Sequence, residues 1–307
     1  MKRKVIQIAE STQLISLPRK WAQEHNIKKG EELDVSERGH TLIISTDSAP
    51  KTMEKSINVS GLLPRLIDRF LARAYQKGYD KITFYFNTEE QMMAIQRKVP
   101  ELLGFEIMAH TKNKCTVQSI SSTLDIDFDS SLRKAFRIVI EMAEICLDAY
   151  TKGDTAALEN VEHRDLDVNK FCYFCLRAIN KYKLFDGGEA TMLYYLIESL
   201  EDVGDDYKAL GKSLALIKQK NPRFINLLKD LLDMTRKSYD FFYDPKQELA
   251  VSIFNMRKEA EATIEKSLLT KDINEVKALL SMKSTVSILY HYPTMRLDTI
   301  KEMDVKE

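Results

Sequence analysis

The chain has 307 residues with 46 basic and 46 acidic side chains, so its formal net charge is zero. Its 44% apolar content excludes a disordered chain, its 10 Gly and 7 Pro favour long helices over an all-β fold, and its length suggests two or three domains. Four cysteines (Cys115, Cys146, Cys172, Cys175) are too few for a disulfide scaffold, no apolar run nears the roughly 18 residues of a membrane span, and no signal-peptide core follows the basic start, so the expectation is a cytoplasmic protein with no membrane insertion.

Residues 1–46 predict strand, strand, short helix, strand, turn, strand. Lys4–Ile8 and Gln13–Leu17 are the first two strands. Pro18 suits the first position of a helix over about 18–26, where its missing N–H costs nothing. Gly30 turns the chain, Leu33 and Val35 share one strand face, and Arg38-Gly39 is a hairpin signal before Thr41–Ile44. So small a unit cannot bury enough area alone, and a homodimer is the simplest way to complete its core. The neutral total also hides an asymmetry. Residues 1–20 carry Lys2, Arg3, Lys4, Arg19 and Lys20 against Glu10 alone, whereas residues 21–50 carry three bases and six acids. A local basic stretch on a neutral chain is a candidate electrostatic footprint for nucleic acid, with a lysine-protected strand edge as the alternative.

The stretch Ser11–Pro18, then Lys20-Trp21, Ile27–Val35 and Leu42–Ile44, resembles the AbrB/MazE/SpoVT DNA-binding domain over about residues 1–46. The resemblance implies a swapped-hairpin dimer that presents bases to DNA from its strands and its strand-to-helix corner. Arg3, Lys4, Arg19 and Lys20 are the expected phosphate contacts, arginine also being able to read guanine edges, and Ser11 and Thr12 add hydroxyls. The free N–H groups at the helix start are a further expected phosphate contact. Trp21 either stacks on a partner surface or joins the core.

Residues 47–52 read as a linker. A small domain of order β-α-β-α-β-β follows at 53–121. Ser56–Val59 is a strand, and Ser60 is the expected cap of a helix with Pro64 in its first turn, running to about Lys77. Its apolar stripe is Leu63, Ile67, Phe70, Leu71 and Ala74, and Gly78 ends it. Lys81–Phe86 is a strand, Thr88 opens a helix to about Leu103, and Phe105–Met108 and Cys115–Gln118 form a last strand pair. Gly61 stands alone near a helix start, with no Gly-rich phosphate loop, so a spacer or dimerisation role is expected ahead of ligand sensing.

Residues 125–307 predict helix almost throughout. Leu132, Phe136, Val139, Ala143, Cys146 and Tyr150 form one row at spacings of four and three. Leu158, Val161, Asp165, Val168, Cys172, Cys175 and Ile179 form a second, and Leu193 to Ile217 a third. Such spacing means antiparallel helices in a bundle, with turns marked by Asp154 and Gly187-Gly188. The half also repeats weakly. A shift of 92 places Met142 on Met234 and Asp148 on Asp240, with a shorter second copy. Two three-helix bundles in tandem resemble the PhoU family, and the whole order resembles archaeal chains that join an AbrB-type domain, a small α/β domain and a PhoU-like half. That resemblance implies a regulator tied to phosphate uptake. The expected fold is therefore multidomain α+β: an N-terminal AbrB-like swapped-hairpin β-barrel, the small β-α-β-α-β-β domain, and all-α tandem bundles over 125–307.

PhoU-like proteins carry Glu-x-x-x-Asp motifs that bind metal clusters. Here Glu201 and Asp205 sit one turn apart, Glu198 extends the stripe, and Asp165 fills an apolar slot with Asn169 one turn on. A buried aspartate needs a partner or a metal, and these oxygens suit Fe, Mn, Mg or, less well, Zn; the alternative is Asp165 bonded to a neighbouring Lys or Tyr. The family motif has a basic residue where this chain has Asp202. The shift of 92 carries Asp165, Glu201 and Asp205 onto Arg257, Pro293 and Leu297, so at most one of two family sites remains. Cys172-x-x-Cys175 lies inside a helix on core positions and reads as apolar packing, not a zinc or redox site.

Together these features predict a dimeric DNA-binding transcription regulator with a PhoU-like sensing or docking half, and not an enzyme. The alternative is a PhoU-type adaptor acting on a phosphate transporter ATPase or a signalling kinase, with the N-terminal domain serving only to dimerise. An antitoxin role fits less well, because residues 47–307 follow where antitoxins carry a short disordered tail. The one Glu-x-x-His, Glu37 to His40, lies in a hairpin and not on the helices a di-iron carboxylate enzyme needs.

Overall fold

The fold comes from a computed structural model, which describes residues 3–8, 12–38, 41–46, 52–120, 127–185 and 187–297. The chain divides into two compact units, Met1–Lys51 and Thr52–Glu307.

In the first unit β1 (Ile6–Ile8) pairs antiparallel with β2 (Thr12–Leu14), Ile6 opposite Leu14. The short helix α1 (Arg19–Glu24) follows. Then β3 (Asp34–Arg38) pairs antiparallel with β4 (Thr41–Ser45), Val35 opposite Ile44. Gly30 turns the chain with φ +87°, where a side chain would be strained. Among the described residues the strands form two separate ladders, and Val5, Ile6, Ile8, Leu14, Ile15, Val35 and Leu42 all stay exposed. Among the described residues a single copy of this unit therefore has no buried core.

The second unit begins with β5 (Glu54–Asn58), α2 (Pro64–Gln76), β6 (Lys81–Tyr85), α3 (Glu89–Lys98), a 3₁₀ turn over Val99–Glu101, β7 (Phe105–Thr111) and β8 (Lys114–Ser119). The sheet order is β5-β6-β8-β7, with β5 parallel to β6 and the other neighbours antiparallel. Ile82 and Phe84 of central β6 pack with Ile67, Leu71, Tyr75 and Ile95 of the two helices. Thr88 caps α3 through a capping box with Gln91. Three expectations differ from the structure. Ser60 is not the cap of α2: that helix starts at Pro64 with Leu63 at the cap position. Leu63 and Phe70, expected to face inward, are 70% and 46% exposed, while Ala72, Tyr75 and Gln76 are buried. The buried face is rotated because α2 packs against a later helix as well as its own sheet. Helix α3 ends at Lys98 instead of Leu103, since Pro100 cannot continue an α-helix.

Among the described residues six long helices follow: α4 (Phe128–Lys152), α5 (Thr155–Tyr182), α6 (Gly187–Ala215), α7 (Pro222–Tyr243), α8 (Gln247–Ser267) and α9 (Ile273–Leu289), and then the short α10 (Tyr292–Leu297). Asp127, Asp154, Asn221 and Asp272 cap four of them through side-chain acceptors. The first three run 25, 28 and 29 residues and the next three 22, 21 and 17, so the second copy is shorter in every element. The Glu144–Arg236 ion pair, 2.5 Å, joins α4 to α7 at positions 92 apart, the period of the repeat. Both copies share one core from Leu132 to Met295.

Residues 53–121 and 125–307, taken from the sequence as separate domains, belong to one unit. Tyr173 of α5 completes the core beneath the sheet. Asn180 Nδ2 donates to Gln76 O at 2.8 Å, and Arg177 donates to Tyr75 O and Tyr79 O at 2.9 and 2.8 Å. Among the described residues no helix is long and apolar enough to cross a membrane.

Candidate functional site

The basic corner of the first unit is built from the β2–α1 junction. Pro18, at φ −61°, occupies the cap position of α1, so Arg19 and Lys20 are its first two residues, and both are exposed. Lys20 reaches Glu24 one turn on at 3.9 Å, an exposed pair that contributes little and leaves the ammonium accessible. Arg3, Lys4 and Thr12 are exposed as well, while Ser11 lies outside the described residues. Trp21 is half-buried, its ring 5.1 Å from that of His25. The corner can neutralise an anionic backbone, and Thr12 can add a hydroxyl contact.

In the second unit the acidic stripe of α6 lines a cleft of about 390 Å³. Glu198, Glu201, Asp202 and Asp205 form one wall, Asn169, Cys172 and Tyr173 of α5 its floor, and Arg65, Arg69 and Arg73 of α2 with Lys98 of α3 the opposite wall. Arg73 clasps Glu198 across the cleft with a two-pronged ion pair, one prong 2.7 Å. Lys98 Nζ lies 2.5 Å from Glu101 Oε2 and 3.3 Å from the Tyr173 hydroxyl, which itself donates to Glu201 Oε1 at 3.3 Å. Burial, with Asp205 and Asp202 nearby, pushes the Glu201 carboxyl up to about 7. Burial raises Asp202 as well, and pushes Asp206 up to about 6.

Asp165, 2% exposed, accepts from Lys208 at 2.6 Å, and the same ammonium pairs with Asp205. A lysine therefore fills the need that the buried aspartate created. Asn169 donates through Nδ2 to Glu101 Oε2 at 3.3 Å, while its Oδ1 and the Oδ1 of Asp165 are buried with no partner among the described residues. The five residues expected to bind metal are thus brought near one another but not into a ligand set. Lys208 holds two of them and Arg73 a third, and among the described residues no group of three or more His, Cys, Asp or Glu is placed to hold a metal ion. The four cysteines are buried and free, and burial pushes Cys115 up to about 11 and Cys146 up to about 12, as befits apolar packing.

The sequence reasoning missed the basic wall. Its signal was present as Arg65, Arg69 and Arg73 at successive i, i+4 positions of α2.

Residues 6–56 match the family model described as "Antidote-toxin recognition MazE, bacterial antitoxin". They form a MazE/AbrB-type domain. No curated protein matches the chain. Among solved structures, PhoU from Pseudomonas aeruginosa aligns with a TM-score of 0.47 at 14% identity, covering 56% of this chain and 94% of that one. The phosphate transport system regulatory protein PhoU from Streptococcus pneumoniae aligns at 0.46 and 15% identity, covering 55% and 91%.

Proposed function

We propose that this protein is a homodimeric DNA-binding transcription regulator whose helical body senses a signal or docks a partner, within the control of phosphate uptake. The observation that carries this is the exposed Arg19–Lys20 corner of a MazE/AbrB-type domain. Two copies of the unit bring two such corners together, and its exposed strand residues supply the apolar surface that a second copy covers. Binding then comes mainly from phosphate neutralisation by Arg3, Lys4, Arg19 and Lys20, with sequence read by arginine at base edges. The link to phosphate uptake rests on the repeated three-helix order and its resemblance to the PhoU family.

The antitoxin role of the MazE model transfers poorly, because the N-terminal domain is followed here by a second, much larger compact unit, Thr52–Glu307. An adaptor acting on a transporter ATPase or a kinase would use that body alone. The two alternatives separate on one experiment: purified protein is mixed with fragmented genomic DNA and the retained fragments are sequenced. A regulator enriches a small set of fragments that share a two-fold symmetric element, and an adaptor enriches none.

A further inference from the structure

The cleft between α2 and α6 carries charge of both signs, and the charges are only partly satisfied by each other. Arg73 and Glu198 pair across it. Arg65 and Arg69 line the same cleft, are exposed, and make no ion pair among the described residues. Glu201 and Asp202 line the opposite wall and make no ion pair with a lysine or arginine among the described residues, although Asp202 feels the charge of Arg73. At the floor Asn169 is 7% exposed, and its buried Oδ1 has no partner among the described residues. Its amide orientation is fixed from the other side, because Nδ2 must face the Glu101 carboxylate. A buried acceptor without a donor costs free energy unless something fills it.

We propose that this cleft binds a small zwitterion, its carboxylate or phosphate on Arg65 and Arg69 and its ammonium on Asp202 and Glu201. A lone anion would meet the arginines but face the acidic wall, and a lone cation would meet the acids but face the arginines. A molecule bearing both groups complements each wall, and about 390 Å³ is room for a small metabolite. The Arg73–Glu198 bridge marks the scale, since a guanidinium already spans to the acidic wall there. The cleft lies wholly within residues 52–307, so its occupancy is read independently of DNA.

The test is a thermal-shift and calorimetric screen of the full chain against the twenty proteinogenic amino acids and phosphoethanolamine. Ethylamine, inorganic phosphate, acetate and Mg²⁺ or Mn²⁺ alone serve as single-charge controls. One or more zwitterions should bind at least tenfold tighter than every control. Arg69→Ala and Asp202→Asn, both at positions lining the cleft, should each cost at least tenfold in affinity while the unliganded protein melts at the wild-type temperature. Absence of binding by every zwitterion overturns the assignment. So does binding of a control as tightly as the best zwitterion, or zwitterion binding that survives both substitutions.

Discussion

Arg177 of α5 donates from Nη2 to Asp80 Oδ1 at 2.6 Å, with the guanidinium 2% exposed and Lys181 closing on the same carboxylate. The turn before β6 is thereby fastened to the helical body, and Arg177 also satisfies the carbonyls of Tyr75 in the last turn of α2 and of Tyr79 in the turn that follows. Removing the carboxylate leaves two buried cations without an anion. Asp80→Ala should destabilise the second unit by about 3–5 kcal/mol, read by urea unfolding. A loss below about 1 kcal/mol would show the joint to be dispensable.

Lys208 is the sole ammonium on Asp165 among the described residues. Lys208→Met should cost about 3 kcal/mol near pH 7, because Asp165 is left buried and unpaired. Adding Asp165→Asn to that variant should recover much of the loss. Failure of the second substitution to recover stability would place the cost in packing instead of charge.

Glu201 sets a pH dependence whose sign is fixed. Burial lifts its carboxyl from an ordinary 4.5 to about 7 in the folded chain. Between those values the folded state holds the extra proton, so stability falls as pH rises through the window. Glu201→Gln should flatten this slope, matching wild type near pH 4.5 and melting higher than wild type at pH 8. Equal melting at both pH values would contradict the buried carboxyl.

Helices α5 and α6 approach closely at Gly211, where an added Cβ would meet Leu158 O at 2.8 Å and Val161 at 3.3 Å. Alanine improves intrinsic helix propensity by about 1 kcal/mol. Gly211→Ala should nonetheless destabilise by about 1–3 kcal/mol, because a backbone carbonyl cannot swing aside. Thermal unfolding decides the sign.

The order of elements was legible because its signals are local. Spacings of three and four marked α4 to α6, Thr88 marked the start of α3, and the shift of 92 carries α4 and α5 onto α7 and α8 but not α6 onto α9, which starts only 86 residues after it. Asp165 was legible as an anomaly in an apolar row, and a lysine partner was one of the two answers open to it. What the sequence hid was made by residues about a hundred positions apart. Arg177 and Asp80 are 97 residues distant, and nothing local marks either as half of a joint. The arginines of α2 look like a solvated face until α6 is laid beside them. The rotated face of α2 has the same origin, since only the presence of α5 explains why Gln76 is buried and Phe70 is not.

The most direct measurement is anisotropy of a labelled duplex from the protein's own promoter, titrated with wild type and with the Arg19→Ala/Lys20→Ala variant at several salt concentrations. A DNA-binding regulator should bind its promoter more tightly than random DNA, with affinity falling steeply as salt rises. In the variant the slope should be shallower by about 1 for each phosphate that is no longer neutralised. Promoter binding no tighter than random DNA, or a variant with the wild-type affinity and slope, would contradict the DNA-binding role.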